Sequence, residues 1–147
     1  MPLLSSADQE KLRESFDEMT NPVRVLFFTQ TLDCEPCLLT RQILDELPPL
    51  SDKIAIEEVN FVLEKDKAAQ YGIDRVPALA LVRKDAAGEA RDTRIRFLGT
   101  PSGYEFVSLV QALLLAGGHT TQLTPENQAL VSTVTTPTKI QVFSTPT

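Results

Sequence analysis

The chain has no tryptophan, a single histidine and only two cysteines among its 147 residues, and it has no hydrophobic run long enough to cross a bilayer. Each shortage removes a class of explanation. The longest largely apolar stretch, Val76 to Val82, contains a proline and falls far short of the roughly 20 residues that a spanning helix needs. The start, Met-Pro-Leu-Leu-Ser-Ser-Ala-Asp, lacks the basic opening and the apolar core of a secretory signal, so the sequence points to the cytoplasm. Basic side chains are outnumbered, 14 Lys and Arg against 20 Asp and Glu, and the net charge of −6 gives no footing for nucleic acid or for an anionic membrane. His119, beside Gly117-Gly118, reads as an exposed helix-end residue. A structural zinc site wants about four Cys or His ligands, so zinc here would need ligands from another subunit; no metal or other cofactor is expected.

What the chain does have is concentrated in one place. Both cysteines lie in Cys34-Glu35-Pro36-Cys37, where a strand-like run gives way to a helical one. A cysteine at a helix N-terminus faces unsatisfied backbone N–H groups and the positive end of the helix dipole, which favour thiolate over thiol. A second thiol inside the first turn is less accessible and is placed to attack a mixed disulfide formed by the first. Cys34 is therefore read as nucleophile and Cys37 as resolving thiol of a redox-active pair, with Pro36 suited to a first helical turn. Two other fates stay open at this point, a permanently oxidised pair or half of a metal site. An isolated structural disulfide would be unusual in the cytoplasm. Asp33 and Glu35 flank Cys34 with negative charge that opposes its ionisation, each by about 1 kcal/mol at about 4 Å in water, against a similar ~0.3–1 kcal/mol gained at a helix terminus. These two acids are assigned a pKa-tuning role that makes the couple comparatively reducing.

Along the chain, Ser6 is read as the cap of a helix carrying Leu12, Phe16 and Met19 on one face, ended by Asn21-Pro22. Val23 to Thr29 is a buried strand. Leu39, Ile43, Leu44 and Leu47 mark the helix after the cysteines, which Pro48-Pro49 stops. A second strand, Lys53 to Phe61, precedes a short helix from about Glu64 to Tyr71. Ala78 to Arg83 and the alternation around Thr93, Ile95 and Phe97 form a hairpin across Asp85-Ala86-Ala87-Gly88, with Arg83, Arg91, Arg94 and Arg96 as a solvated face. Val76-Pro77 either opens a strand or is cis, in which case its turn exposes the Val76 backbone to an extended peptide. After the loop Gly99 to Gly103, the positions Phe106, Val110, Leu113 and Leu114 define a closing helix up to Gly117-Gly118. The order βαβαββα behind an extra N-terminal helix demands an α/β architecture with a mixed four-stranded sheet and helices on both faces. Residues 1–118 form this domain. Residues 119–138 read as a linker with a short helix capped at Thr124-Pro125, and residues 139–147 as the start of a further strand that echoes Arg24 to Thr29.

The cysteine pair at a strand-to-helix turn, the later Val76-Pro77 and the element order resemble the thioredoxin fold. More closely, Leu3 to Asp8, Asn21-Pro22-Val23, Tyr71 to Pro77 and Gly99 to Phe106 resemble the N-terminal unit of glutaredoxin-like protein disulfide oxidoreductases, which carry two thioredoxin-fold units in tandem. The resemblance implies disulfide exchange with protein substrates, with Pro77 as a cis-proline and Val76 as the residue that pairs with substrate. It also implies electrons from a flavoprotein of the thioredoxin-reductase type. Phe143-Ser144-Thr145-Pro146-Thr147 resembles the strand leading into a second cysteine pair, so the chain is expected to be a fragment or a shortened relative. Three departures stand out. Asp33 sits where thioredoxins usually have tryptophan; Val25 to Phe28 holds no buried acid, which leaves the proton of Cys37 to Glu35 or water; and no acidic pair follows Gly99 to hold glutathione. An alternative function is a low-activity docking or electron-relay module akin to the N-terminal domain of the alkyl hydroperoxide reductase flavoprotein subunit. A third is a homodimer in which residues 139–147 pair with another copy's sheet edge.

Overall fold

The structure, a computed structural model, describes residues 2–145. Helix α1 (Ser6–Asp17) begins after Ser5, whose hydroxyl accepts the Asp8 N–H at 3.2 Å and donates to the Asp8 carboxylate at 2.6 Å. Ser5 and not Ser6 is the cap, because Ser5 is the last extended residue and its hydroxyl takes the Asp8 N–H, whereas Ser6 is already helical. Strand β1 (Val23–Thr29) is buried at every position but Arg24. It is followed by α2 (Glu35–Asp45), a single 3-10 turn at Pro48–Leu50, β2 (Ile54–Asn60) and α3 (Lys65–Gln70). The hairpin β3 (Ala78–Lys84) and β4 (Ala90–Leu98) leads to α4 (Tyr104–Ala116), and α5 (Pro125–Ser132) stands beyond it.

The sheet order is β2-β1-β3-β4, with β1 parallel to β2 and antiparallel to β3, and β3 antiparallel to β4. Alternation along β1 and β3 divides the core. Val25, Phe27, Leu79 and Leu81 meet Phe16 of α1, Leu44 of α2 and Leu109 and Leu113 of α4 on one face. Leu26, Phe28, Ala80 and Val82 meet Ala68 of α3 and Ile73 on the other. Central strands buried on both faces read as continuous hydrophobic runs, which is why β1 and β3 stand out in the sequence.

Besides the cap of α1, three expectations need correction. Strand β4 starts at Ala90, earlier than the Thr93 alternation suggests, and its register against β3 shifts between Ala80 and Val82, near Arg94 with its φ of 65°. Arg96 is not part of a solvated face: it lies 5.6 Å from the Tyr71 ring centroid, donates to the Tyr71 carbonyl at 3.1 Å and pairs with Asp92 at 2.6 Å. Residues 139–145 are not a strand. Residues 139–144 join no strand of the sheet, and every residue from 120 to 145 is exposed. A lone strand-like segment has no ladder to join, and its apolar alternation gains nothing without a surface to cover. Pro146 and Thr147, which the resemblance placed in that strand's continuation, lie outside the described residues. Among the described residues no helix is long and apolar enough to cross a membrane.

Candidate functional site

Parallel pairing of β1 and β2 and antiparallel pairing of β3 bring the end of β1, the end of β2 and the start of β3 to one edge of the sheet. The register Phe28 to Ala78 sets Pro77 beside the end of β1. The chain leaves β1 at Thr29, bends through Thr31 to Asp33 and enters α2 with Cys34 at the N-cap position. Asp33 holds a φ of 56°, a left-handed conformation that Asp tolerates better than most side chains. No side chain caps α2, so its first-turn N–H groups face the cysteines without a competing carboxylate or hydroxyl bond.

Cys34 and Cys37 form a disulfide across a Cα–Cα distance of 5.4 Å. Their exposures differ: Cys34 is half-buried, while Cys37 is only 4% exposed and its N–H donates to the Cys34 carbonyl at 3.2 Å. A recess of about 500 Å³ beside the disulfide is lined by Thr29, Gln30, Asp33, Glu35, Leu38 and Arg41. Asp33 and Glu35 are both exposed there. The Val76-Pro77 peptide is cis; Val76 is half-buried, Pro77 buried, and the Pro77 carbonyl accepts the Gly99 N–H at 2.9 Å. Immediately before this turn, Arg75 donates twice to Asp74, at 2.8 and 3.1 Å, and holds the Asp74 carboxyl below its ordinary range. The site thus unites all six residues singled out in the sequence, Asp33, Cys34, Glu35, Cys37, Val76 and Pro77, around one sheet end.

Sequence reasoning missed two groups. Leu32, Leu38, Val62 and Leu63 are exposed at this same end of the molecule. Leu38 follows Cys37 directly on α2, whereas Val62 and Leu63 follow β2 and are brought to the same end of the sheet only by the parallel pairing of β1 and β2. The other group is Thr40 and Thr100. Thr40, wholly buried in α2, donates to the Pro36 carbonyl at 2.9 Å, and its oxygen lies 2.9 Å from the Thr100 hydroxyl, which is also 3.3 Å from the Pro36 carbonyl. A threonine four residues after Pro36 is a readable signal for such back-bonding. Thr100 gives none. Among the described residues, no cluster of three or more His, Cys, Asp or Glu that could hold a metal ion occurs.

No protein-family model matches the chain. Among curated proteins, it is 37% identical over 84 residues to the F subunit of alkyl hydroperoxide reductase of Xanthomonas campestris, a match that takes in 57% of this chain and 13% of that protein. It is 28% identical over 78 residues to a probable thioredoxin of Methanothermobacter thermautotrophicus, covering 52% of this chain and 80% of that one. Among solved structures, the NTD_N/C domain of alkylhydroperoxide reductase AhpF from Enterococcus faecalis superposes with a TM-score of 0.75 at 31% identity, over 86% of this chain and 58% of that one. A protein disulfide oxidoreductase from Aeropyrum pernix superposes with a TM-score of 0.72 at 22% identity, over 88% of this chain and 54% of that one, a likeness of fold. The chain therefore spans little more than half of either structure and a small fraction of the Xanthomonas protein.

Proposed function

We infer that this chain, a thioredoxin-fold oxidoreductase domain, exchanges disulfides with protein substrates through Cys34 and Cys37. One observation carries the reading: a closed disulfide between a half-buried and a buried cysteine at an uncapped helix N-terminus. In the reduced protein the Cys34 thiolate attacks one sulfur of a substrate disulfide. That S–S bond breaks, the departing thiolate takes a proton from water, and Cys34 is left in a mixed disulfide. Cys37 then gives its proton to water or to Glu35 and attacks the Cys34 sulfur. The second substrate thiolate leaves, the Cys34–Cys37 disulfide closes, and two electrons have passed to substrate. Helix-terminus N–H groups favour the Cys34 thiolate, while Asp33 and Glu35 oppose it and set a reducing couple. The Val76 backbone beside Pro77 is the pairing edge for an extended substrate segment, and the exposed Leu32, Leu38, Val62 and Leu63 suit an apolar partner surface. Likeness to the alkyl hydroperoxide reductase proteins supports electrons from a flavoprotein of the thioredoxin-reductase type.

The test is insulin reduction with dithiothreitol as electron source, comparing wild type with Cys34→Ser. Wild type should accelerate precipitation of the insulin B chain and Cys34→Ser should run at the uncatalysed rate; equal rates would remove the enzymatic reading.

A second reading, a docking or relay unit, is favoured by the segment beyond α4. Ile140, Val142 and Phe143 are 84, 87 and 90% exposed, more apolar surface than one short segment ordinarily leaves in water. Contact with a further thioredoxin-fold unit, or with the sheet edge of a second copy, would cover it.

A further inference from the structure

We propose that Thr100, acting with Thr40, is a positioning residue that holds the Cys34–Cys37 turn in register with the Val76-Pro77 loop, an inference that rests on the disulfide-exchange reading. A protein disulfide lying along Val76 must meet Cys34 along the S–S axis, so the distance and angle between these two segments decide whether binding leads to attack. They belong to different elements, α2 and the turn into β3, and the disulfide itself does not join them. The loop between β4 and α4 does. Gly99 donates its N–H to the Pro77 carbonyl at 2.9 Å. The next residue, Thr100, reaches in the other direction, 2.9 Å from the Thr40 hydroxyl and 3.3 Å from the Pro36 carbonyl.

A threonine hydroxyl carries one proton and two lone pairs. Thr40 and Thr100 therefore have two protons to share over three contacts, so each arrangement fills two of the three, and more than one arrangement is open to them. The link survives each of these arrangements, because both acceptors within reach of Thr100 belong to α2. One of them is the carbonyl of Pro36, which lies between the two cysteines. Thr40 is 0% exposed, so its hydroxyl has no water to turn to and is held to these partners. Cys34 provides no side-chain cap, which leaves this pair of hydroxyls as the side-chain anchor of the first turn of α2. Gly99 completes the device: its φ of 104° is one that L side chains rarely adopt, and it lets consecutive residues bond to opposite segments.

Thr100→Val keeps the side-chain shape and removes the hydroxyl, whereas Thr100→Ser keeps the hydroxyl. Thr100→Val should lower kcat/KM for insulin about tenfold, and Thr100→Ser should stay within about twofold of wild type. Alkylation of reduced Cys34 by iodoacetamide needs the thiolate but not the Val76 loop, so it should change by less than about twofold in both variants. Wild-type rates in Thr100→Val, or equal losses in both variants, would overturn the proposal. So would a parallel loss of alkylation, since the effect would then act on Cys34 alone. Should wild type prove no faster than Cys34→Ser, the oxidoreductase reading fails by itself. Positioning is then decided by amide hydrogen exchange, in which Gly99 and Cys37 should exchange at least about tenfold faster in Thr100→Val but not in Thr100→Ser. Unchanged exchange would overturn it.

Discussion

At Cys34 two electrostatic influences of similar size oppose each other. The first-turn N–H groups of α2 stabilise a thiolate, and the exposed carboxylates of Asp33 and Glu35 destabilise it. Because one charge at about 4 Å in water is worth about 1 kcal/mol, removing one acid should move the thiol pKa by less than about one unit. In the reduced protein, Glu35→Gln is expected to lower the Cys34 pKa by about half a unit, read from thiolate absorbance as pH is raised. No movement would leave Glu35 as an ordinary acid of a first helical turn. The residues of this site differ in how far the sequence announces them. Cys34 and Cys37 carry their chemistry in their own identity and spacing, whereas Pro77, open between a strand start and a cis turn, gained its role from the resemblance. Thr40 and Thr100 are ordinary until the fold sets their hydroxyls 2.9 Å apart, and nothing local to Thr100 foretells a partner 60 positions away.

The elements were legible where burial makes a pattern and illegible where it does not. Strand β1 read out to its observed ends because both its faces are covered. Strand β4 is the sheet edge, mostly exposed at its start, and Ala90, Arg91 and Asp92 give no alternation to read. Pairings between elements were likewise hidden, and one of them carries a pH dependence. Glu57 of β2 accepts from Arg24 of β1 at 3.1 Å and from Lys67 of α3, tying two strands to a helix. The hydrogen bond from Lys67, then the charges of Lys67 and Arg24, outweigh partial burial and hold the Glu57 carboxyl below its ordinary range. A carboxyl depressed in the folded state stabilises the protein above its unfolded pKa of about 4.3, and that contribution disappears as pH falls through the folded value. With the Glu57 side chain 34% exposed, solvent screening keeps the contribution under about 1 kcal/mol. Urea unfolding at neutral pH should accordingly find Glu57→Gln less stable than wild type by about 0.5–1 kcal/mol, with the gap closing below about pH 4. A gap constant across that range would show that the ion pairs contribute nothing.

For the whole molecule, the division lies between a core that runs from Phe16 to Ala116 and an arm beyond it. All the buried hydrophobic side chains among the described residues fall within that interval, and both faces of the sheet are filled by it. Helix α5 is properly formed, with Thr124 Oγ1 accepting the Asn127 N–H at 3.2 Å and Pro125 in its first turn, yet it buries no residue. Capping chemistry is local, so that helix was legible in sequence; its lack of a packing partner was not, because amphipathic spacing does not say what an element packs against. Besides Arg75, which dominates, the charge of Lys139 contributes to lowering the Asp74 carboxyl. Removing residues 120–147 therefore takes away little surface buried against the core. The urea midpoint and the m-value should stay within error of the full chain, whereas Leu113→Ala, a cavity at a side chain with no exposure, should cost about 2–5 kcal/mol. Sedimentation then separates the fates of the arm. If it pairs with another copy, the full chain should sediment faster as concentration rises and the shortened chain should not. If the full chain stays monomeric at every concentration, the self-pairing form is excluded and a separate thioredoxin-fold unit is left as the surface that Ile140, Val142 and Phe143 would meet.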